Sequence, residues 1–366
     1  MPKKAIEERY TPINKGHFEL EPAARINRFQ EILADGWESD YLHYRKLWSE
    51  LPKNKVTRKY PLLVDLELAS KCNLSCPMCP TVTDKFRVLR QERFPSGLMD
   101  IDLIRRIIDE VHLEVYSLRL SWVGEPTLHP NLIDAVAYAK KKGIREVSFL
   151  TNGSRLHLGY MKKMMAAGLD QMTVSIDGME DEYNRIRAPL KFNKTLDKLR
   201  KLKQYKNENG VVKPAIKVQG VWPAIRENAQ QYYDTFMPIT DLIAFNPLID
   251  YLHKDVDIEY EDSFSCPQLY QRVTVSADGR VALCANDDLV QVVLGDAKKS
   301  SIYDIWHGEK MEEMRHTHRE LCGFKKIRPC LNCYYPRTVE KTESAIINGN
   351  KFVIENYVNR KQEVGQ

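Results

Sequence analysis

The chain has 366 residues, of which 43% are hydrophobic and 29% charged, and these values are ordinary for a globular protein. Its formal net charge of +5 is a mild excess that indicates no nucleic-acid partner. No apolar run approaches the roughly 18 residues of a membrane span, and the N-terminus MPKKAIEERYTP lacks the apolar core of a secretory signal. We therefore expect a cytoplasmic protein without a membrane partner, whose eight cysteines are metal ligands or free thiols rather than disulfides.

The first 58 residues show the periodicity of helices. In 22–34 the side chains of Ile26, Phe29, Ile32 and Leu33 fall on one face, and a similar stripe of leucines and aromatic residues follows in 39–51. No alternating strand pattern occurs there. The sequence predicts an N-terminal helical extension over residues 1–58.

From about residue 60, strand and helix patterns alternate. Strands are predicted over 62–68, 117–123, 146–151, 171–177, 215–222 and 241–247, with helices over 103–111, 131–143, 158–168 and 192–205. This alternation indicates an α/β domain over 59–250, built on a parallel sheet or barrel. Ligands of such folds bind at the carboxyl ends of the strands.

Four unusual motifs follow the first four of these strands. They are CNLSCPMC at 72–79, GEP at 124–126, TNG at 151–153 and SIDG at 175–178. Because the carboxyl ends of parallel strands meet at one edge, the motifs predict a single composite site.

After about residue 250 the alternation stops. A hairpin with an Asp278-Gly279 turn is predicted over 270–287, followed by a helical piece over 301–317. The remaining cysteines, Cys266, Cys284, Cys322, Cys330 and Cys333, stand around and after this hairpin. We expect a small cluster-binding domain of hairpin and helix over 251–340, and a polar tail with some helical character over 341–366.

The three cysteines Cys72, Cys76 and Cys79 have the spacing C-x3-C-x2-C. A cubane of four irons needs one ligand per iron, so three thiolates leave one iron with an open position. An open position is what chemistry at a metal requires. The alternatives are a structural zinc site completed by a distant histidine, or plain buried thiols.

With these residues the chain resembles the radical SAM superfamily, whose hallmark is C-x3-C-x2-C after the first strand of a partial (β/α)6 barrel. The resemblance covers about residues 60–250. It implies a TIM-like partial barrel, a [4Fe-4S] cluster on Cys72, Cys76 and Cys79, and S-adenosyl-L-methionine (SAM) chelated to the open iron. Reductive cleavage of SAM to a 5′-deoxyadenosyl radical, with an electron from a flavodoxin or ferredoxin, is the activity implied.

The same resemblance implies a set of SAM-binding residues. In the family's GGE-type motif the glutamate and backbone carbonyls receive the methionine ammonium, and Val123 replaces the first glycine here. Carried onto this chain, the expected cofactor-binding residues are Met78, Gly124, Glu125, Pro126, Asn152, Ser175 and Arg187. A strand-to-helix turn at 124–126 and a surface role for Arg187 are the alternatives.

Two carboxylates on the first strand are candidates for substrate binding. Asp65 and Glu67 stand at i and i+2, so they share one face of the strand. If that face is the barrel interior, they can hold hydroxyl or amino groups of a substrate. The alternative is a solvated or ion-paired role.

The later cysteines resemble the family's SPASM extension in a truncated form. Cys266 and Cys284 fit C-x(9–15)-G-x4-C, and Cys330 and Cys333 fit the following C-x2-C, but no further cysteine follows. This resembles the shorter twitch module of a radical SAM aminocyclitol dehydrogenase, which implies one auxiliary [4Fe-4S] cluster on these four thiolates. A structural zinc ion on the same four is the alternative.

Three functions are compatible with the sequence. The first is a radical SAM enzyme that oxidises a carbinol of a small polar substrate, such as a sugar, aminocyclitol or nucleotide-linked sugar. A radical epimerase of a similar substrate, with Cys322 as hydrogen donor, is a variant of it. The second is a ribosomal-peptide maturase, and the third is a non-catalytic iron–sulfur protein. Cys322 can also be a buried structural thiol or an extra cluster ligand.

Overall fold

A computed structural model describes residues 9–360 and 362–364 of the chain. The N-terminal extension and the C-terminal tail predicted above therefore lie partly outside the described residues. The strands are β1 (Phe18–Glu19), β2 (Leu63–Leu66), β3 (Ser117–Arg119), β4 (Glu146–Thr151), β5 (Gln171–Ser175), β6 (Ala215–Val221), β7 (Leu242–Asn246), β8 (Arg272–Val275), β9 (Arg280–Ala282), β10 (Val293–Asp296), β11 (Val339–Ile347) and β12 (Asn350–Tyr357).

Helices connect and cover these strands. They are α1 (Ala23–Ala34), α2 (Glu38–Asn54), α3 (Asp84–Phe86), α4 (Ile101–Val111), α5 (Leu132–Lys141), α6 (Leu158–Ala166), α7 (Glu180–Ile186), α8 (Phe192–Glu208), α9 (Trp222–Ile225), α10 (Ala229–Phe236), α11 (Ile302–Trp306), α12 (Glu309–Thr317) and α13 (Arg328–Asn332). The helix predicted over 301–317 is two helices, because the chain turns at Gly308, whose backbone is extended.

The central sheet confirms the predicted α/β architecture. Its order is β1-β7-β6-β5-β4-β3-β2-β8-β9-β10, and β2 to β7 run parallel in chain order. Helices follow the strands and bury their apolar faces against the sheet; α4, for example, buries Leu103, Ile104, Ile107 and Ile108. These six parallel strands with their helices form a partial (β/α)6 barrel, whose carboxyl strand ends share one rim.

The N-terminal extension contains a strand as well as the two predicted helices. Phe18 and Glu19 of β1 pair antiparallel with Phe245 and Ala244 of β7. The Phe18 and Phe245 rings stack at a centroid distance of 5.2 Å. The expectation of helices alone over 1–58 was wrong here, because a strand of two residues is too short to show an alternating pattern.

The predicted hairpin of the C-terminal domain forms β8 and β9, and it joins the barrel sheet. Strand β8 pairs parallel with β2 over four residues, Leu63 to Leu66, while β9 pairs antiparallel with β8. The C-terminal domain therefore extends the barrel sheet at its first strand and does not hang from a flexible linker.

The tail is a β-hairpin and not a helical segment. Strands β11 and β12 pair antiparallel, and the turn between them is Asn348-Gly349, with φ of 49° and 76°. Positive φ at both central residues is the hairpin turn that Asn-Gly favours. The Asn348-Gly349 dipeptide was therefore the sequence signal for a hairpin, and the helical expectation for 341–366 was wrong. Among the described residues, no helix has the length and apolar character to cross a membrane.

Candidate active site

The three-cysteine loop leaves the carboxyl end of β2 and packs in an apolar surrounding. Cys76 and Met78 are buried against Leu74, Ile186 and Leu248. The Cys79 amide donates to the Cys76 carbonyl at 3.0 Å, which closes a tight turn between the last two thiols. The thiols of this loop are thus held in a partly dry pocket at the rim of the barrel.

Gly124 allows the loop after β3 to press directly on the cysteine loop. A Cβ atom at this position would lie 2.2 Å from the Ala69 carbonyl oxygen and 2.6 Å from that of Lys71. Both are backbone atoms, which cannot swing away as a side chain can. The Glu125 amide donates to the Lys71 carbonyl at 2.8 Å, which fixes the register of the two loops.

The carboxylate of Glu125 joins the loops after β3 and β4. Its Oε1 accepts from the Thr127 amide at 3.1 Å, the Thr127 hydroxyl at 2.5 Å and the Thr151 hydroxyl at 2.6 Å. Its Oε2 accepts from the Asn152 amide at 2.7 Å. Four donors thus surround a side chain that is 2% exposed. The carboxylate therefore holds the two loops in place, while Oε2, which accepts one bond, keeps a free acceptor position at the cavity for the expected ammonium.

Pro126 was expected among the cofactor-binding residues, but it does not line the cavity. It is buried and starts a short 3-10 turn over Pro126–Leu128. Its fixed φ suits the first position of such a turn. Pro126 therefore shapes the loop that carries Glu125 and forms no part of the cavity wall.

Asn152 reaches the cysteine loop from the end of β4. Its Nδ2 donates to Asn73 Oδ1 at 2.9 Å and lies 3.7 Å from the Cys72 sulfur. Ser175, the last residue of β5, is buried beside the same cavity. A donor near a thiolate ligand stabilises its negative charge, so Asn152 is suited to support a metal-bound Cys72.

Arg187 is buried and already has one acidic partner. Its Nε donates to Asp177 Oδ2 at 2.6 Å, and Asp177 Oδ1 accepts from the Val221 amide at 2.8 Å. Burial alone would lower the pKa of Arg187, but the carboxylate of Asp177 and the neighbouring Cys76 raise it. The guanidinium is thus kept charged at the cavity wall, where it can receive a second anion such as a carboxylate.

One cavity of about 580 Å³ joins these groups. Its size is in the usual range for a small-molecule site. The predicted residues that line it are Asp65, Cys72, Cys76, Met78, Cys79, Gly124, Glu125, Asn152, Ser175 and Arg187. The composite site expected from the four strand ends is thus one continuous space.

Asp65 lies in this cavity and Glu67 does not. Asp65 Oδ2 accepts from Thr274 at 3.2 Å and from Arg272 at 3.3 Å, while its Oδ1 has no hydrogen-bond partner among the described residues. Glu67 is fully buried and forms an ion pair with Arg90. The structure does not bring Glu67 to the cavity as expected, because its carboxylate is held by Arg90 and the Ala277 amide.

Cys322 also lies outside the cavity and outside the pocket of the four other late cysteines. Its amide donates to the Asp262 carbonyl at 3.0 Å. Partial desolvation and the exposed carboxylate of Asp262 raise the pKa of the Cys322 thiol. The structure therefore does not bring Cys322 to the barrel mouth, where a hydrogen donor was expected. Cys322 is near the expected cluster ligand Cys330 in the sequence, but the fold places it at the surface.

The other late cysteines lie together. Cys266, Cys284, Cys330 and Cys333 line one small pocket with Phe264, Asn286, Pro329 and Pro336. The Tyr335 amide and Asn286 Nδ2 approach the Cys333 sulfur at 3.4 and 3.6 Å. His318 Nε2 lies 3.6 Å from the Cys330 sulfur.

Both cysteine sets suit iron–sulfur clusters in their donor chemistry. Each consists of soft thiol ligands in apolar surroundings with polar groups aimed at a sulfur, as cluster ligands require. Among residues 9–360 and 362–364, no three or more His, Cys, Asp or Glu side chains are close enough together to bind a single metal ion. Burial raises the pKa of Cys266 to about 12, so a bound cation is needed to keep such a thiol ionised.

Asn286 connects the two cysteine sets. It lines the large cavity as well as the pocket of the four late cysteines. Trp122, in the loop after β3, donates from Nε1 to the Ala285 carbonyl at 2.7 Å and so fastens this segment to the barrel rim. Asp288, two residues further on, also lines the cavity. The wall of the large cavity is therefore also a wall of the second metal pocket.

Several cavity residues were not predicted from the sequence. They come from the N-terminal extension, the interior of the barrel strands and the C-terminal domain: His17, Arg45, Trp48, Arg119, Glu146, Lys217, Gln219, Gln268, Arg272, Tyr334 and Tyr335. Polar residues at alternate positions of predicted strands were the one available signal, for Lys217 and Gln219 in β6. The others depend on contacts between distant segments.

Comparison with protein families assigns both parts of the chain. A sequence model described as "Radical SAM superfamily" matches residues 66–216, and one described as "Iron-sulfur cluster-binding domain" (SPASM) matches residues 266–334. The first range contains the three-cysteine loop, and the second contains Cys266, Cys284, Cys330 and Cys333. The radical SAM domain implies SAM and a [4Fe-4S] cluster, and the SPASM domain implies an auxiliary iron–sulfur cluster.

Curated relatives share part of their length with this chain. The tungsten-containing aldehyde ferredoxin oxidoreductase cofactor-modifying protein of Pyrococcus furiosus is 32% identical over 45% of this chain and 44% of its own length. The AdoMet-dependent heme synthase of Methanosarcina barkeri is 32% identical over 37% of each chain. The chain thus spans less than half the length of these relatives.

Solved structures share the fold at lower identity. BtrN in complex with AdoMet and 2-DOIA is 21% identical and has a TM-score of 0.51, covering 75% of this chain and 92% of that one. Native anSMEcpe with bound AdoMet and Cp18Cys peptide is 17% identical, with a TM-score of 0.52 and coverage of 75% and 88%. The chain therefore carries a radical SAM domain over residues 66–216 and a C-terminal SPASM-type iron–sulfur domain over residues 266–334.

Proposed function

We propose that the chain is a radical SAM oxidoreductase that oxidises a carbinol carbon of a small polar substrate. The observation that carries this proposal is the shared cavity: one space touches the three-cysteine loop, the polar barrel interior and the wall of the auxiliary pocket. The proposed substrate class is a sugar, an aminocyclitol or a nucleotide-linked sugar.

When bound, SAM and the [4Fe-4S] cluster supply a 5′-deoxyadenosyl radical that takes one hydrogen atom from the substrate. The residues of this chain bind and orient the cofactor and the substrate, and they shield them from water. The charged guanidinium of Arg187 can bind a carboxylate. Asn152 stabilises the negative charge of the Cys72 sulfur, and Glu125 holds the loops of the rim in register. Asp65 Oδ1 lies 3.7 Å from Arg119 Nε and accepts no hydrogen bond from the described residues, so we propose it as an acceptor for a substrate hydroxyl in the barrel interior.

A carbinol that has lost a hydrogen atom becomes a carbonyl when it also loses one proton and one electron. Asp288 is suited to take the proton, because its buried Oδ2 has no partner among the described residues and its side chain lines the cavity. Burial raises the pKa of Asp288 to about 7. An iron–sulfur cluster on the four late cysteines is the proposed acceptor of the electron, beyond Asn286.

The test is anaerobic incubation of the reconstituted enzyme with dithionite, SAM and a panel of sugars, sugar phosphates, aminocyclitols and nucleotide-linked sugars. We expect one class to increase 5′-deoxyadenosine formation and to yield a product that lacks two hydrogen atoms. A product of unchanged mass that carries solvent deuterium at carbon would contradict oxidation and indicate inversion.

The three-cysteine loop provides the first mutational prediction. Replacing Cys72, Cys76 and Cys79 together with Ala should abolish 5′-deoxyadenosine formation and reduce the iron content from about eight to about four per chain. The matched control is Cys322→Ala, which should leave both quantities unchanged because this thiol lies outside both pockets. Retained SAM cleavage in the triple variant would refute the assignment of this loop.

A further inference from the structure

The interior of this barrel is polar. Closed barrels of eight parallel strands are normally filled by branched apolar side chains. Here the strands instead present Arg119, Glu146, Ser148, Gln171, Thr173 and Gln219 to the cavity. Such a lining cannot form a packed core, so it indicates a chamber for a polar molecule.

Lys217 is the most deeply buried cation of this chamber. It belongs to β6, lines the cavity and is 8% exposed. An ammonium has three N–H donors. The described residues provide one hydrogen-bond partner, His17 Nε2 at 2.7 Å. Buried charged groups are normally paired, so the other N–H groups suit an acceptor on a ligand in the cavity.

Among the described residues, no acidic side chain forms a direct ion pair with Lys217, although the charge of Glu19 acts on it. Glu19 lies 3.4 Å from His17, and Asp65 is shared by Arg272 at 3.3 Å and Arg119 at 3.7 Å. Burial raises the pKa of Glu146, which favours its neutral form. The chamber therefore has an excess of positive charge.

Two of the cations also repel one another. Burial, together with the guanidinium of Arg119, lowers the pKa of Lys217 to about 7, although Glu19 acts in the opposite direction. Arg45, from α2, adds a third cation to the cavity wall. It contacts the rings of Tyr44 and Trp48, and its charge acts on Glu146. An anion between these groups would relieve the repulsion and accept hydrogen bonds from the ammonium.

We propose that Lys217 and Arg119 bind an oxyanion of the substrate, a phosphate or a carboxylate, while Arg45 adds positive charge to the same chamber. The inference rests on the proposed function and narrows it. The substrate is an anionic sugar or sugar derivative and not a cationic aminocyclitol. Lys217 is then a specificity-determining residue at the inner end of the site, away from the three-cysteine loop.

The test uses the anaerobic, SAM-bound holoenzyme and isothermal titration with glucose 6-phosphate, glucuronate and glucose as probes. We expect one or both charged probes to bind and glucose to bind at least about tenfold more weakly, because charge-assisted hydrogen bonds are lost. The phosphate and carboxylate arms distinguish the two oxyanions. Lys217→Met should weaken binding of the charged probe by about tenfold or more, and Lys217→Arg should retain most of it.

Lys206→Met is the matched control. Lys206 is at least as buried as Lys217, but it donates to the Pro214 carbonyl at 2.6 Å and does not line the cavity. SAM affinity, measured in every variant, reports that the rim is intact. Equal binding of glucose and the charged probes, no binding of any probe, or unchanged binding in Lys217→Met would overturn the inference. If the parent enzyme forms no 5′-deoxyadenosine, the proposed function would instead be refuted.

Discussion

For the single residue Glu125, the observed hydrogen bonds refine the role that the sequence motif predicts. The motif suggests a carboxylate that meets the cofactor, but the side chain accepts from four protein donors, on Thr127, Thr151 and Asn152. A carboxylate so occupied contributes by holding backbone groups in place.

Glu125→Gln should lower both stability and SAM affinity. The amide replaces one acceptor oxygen with a donor, so at least one buried N–H or hydroxyl group loses its partner, at a cost of about 1–3 kcal/mol. We expect a lower urea midpoint and about tenfold weaker SAM binding by calorimetry. Unchanged SAM affinity would mean that the loops keep their geometry without this carboxylate.

Glu67→Gln is the control for this prediction. Glu67 is also buried and bonded, to Arg90 and to the Ala277 amide at 2.9 Å, but it does not line the cavity. Its replacement should lower the urea midpoint and leave SAM affinity unchanged. The pair of variants separates loss of stability from loss of the rim geometry.

Among the secondary-structure elements, the rim depends on the direct contact between two loops. The loop after β2 carries the cysteines, and the loop after β3 lies against its backbone at Gly124. The hydrogen bond from the Glu125 amide to the Lys71 carbonyl completes this contact. The position of the thiols is therefore set by a neighbouring strand end as well as by their own loop.

Gly124→Ala should displace the cysteine loop. The added Cβ would come within 2.2 Å of the Ala69 carbonyl oxygen, so one backbone must move. We expect reduced iron incorporation in the three-cysteine site and slower 5′-deoxyadenosine formation, while the auxiliary site keeps about four irons. Iron analysis and the SAM cleavage assay measure the two effects.

Gly159→Ala is the matched control in helix α6. A Cβ there would be 3.5 Å from the His157 ring, an ordinary contact, and alanine is the better helix former. This variant should keep the parent's iron content and activity. Equal behaviour of the two alanine variants would show that the close approach at Gly124 is not needed.

Across the whole molecule, one sheet links the two cofactor-binding parts. Strand β8 of the C-terminal domain pairs with β2, the strand that leads into the cysteine loop. Arg90 strengthens the link: it pairs with Glu67 and also donates to the carbonyl of Asp288. This construction holds the auxiliary pocket at a constant position relative to the cavity, as the proposed electron transfer between them requires.

Replacing Cys330 and Cys333 together with Ser should separate the two cofactor sites. We expect iron to fall from about eight to about four per chain and SAM cleavage by dithionite to persist. Oxidised product should be lost, because the proposed electron acceptor is gone. Cys322→Ser is the control that should retain iron and product. Full iron content in the double variant would show that these thiols are not ligands.

Much of the fold was predictable because its signals are local. The alternation of strands and helices from residue 60 onward predicted all six parallel strands. The short strand β1 and the partnership of β8 with β2 were missed, since both depend on pairing between distant segments. The β11–β12 hairpin could have been predicted from Asn348-Gly349, because that turn chemistry is local.

The amino-acid order alone specifies the chemistry of the rim, through the spacing of Cys72, Cys76 and Cys79 and the motifs at four strand ends. Which polar groups meet inside the barrel depends instead on the folded chain. Lys217 faces His17, 200 residues earlier in the chain, while Cys322 turns to the surface. The spacing of thiols within one loop is determined by the few backbone residues between them. The partners of a buried charge depend instead on which distant segments the folded sheet brings together.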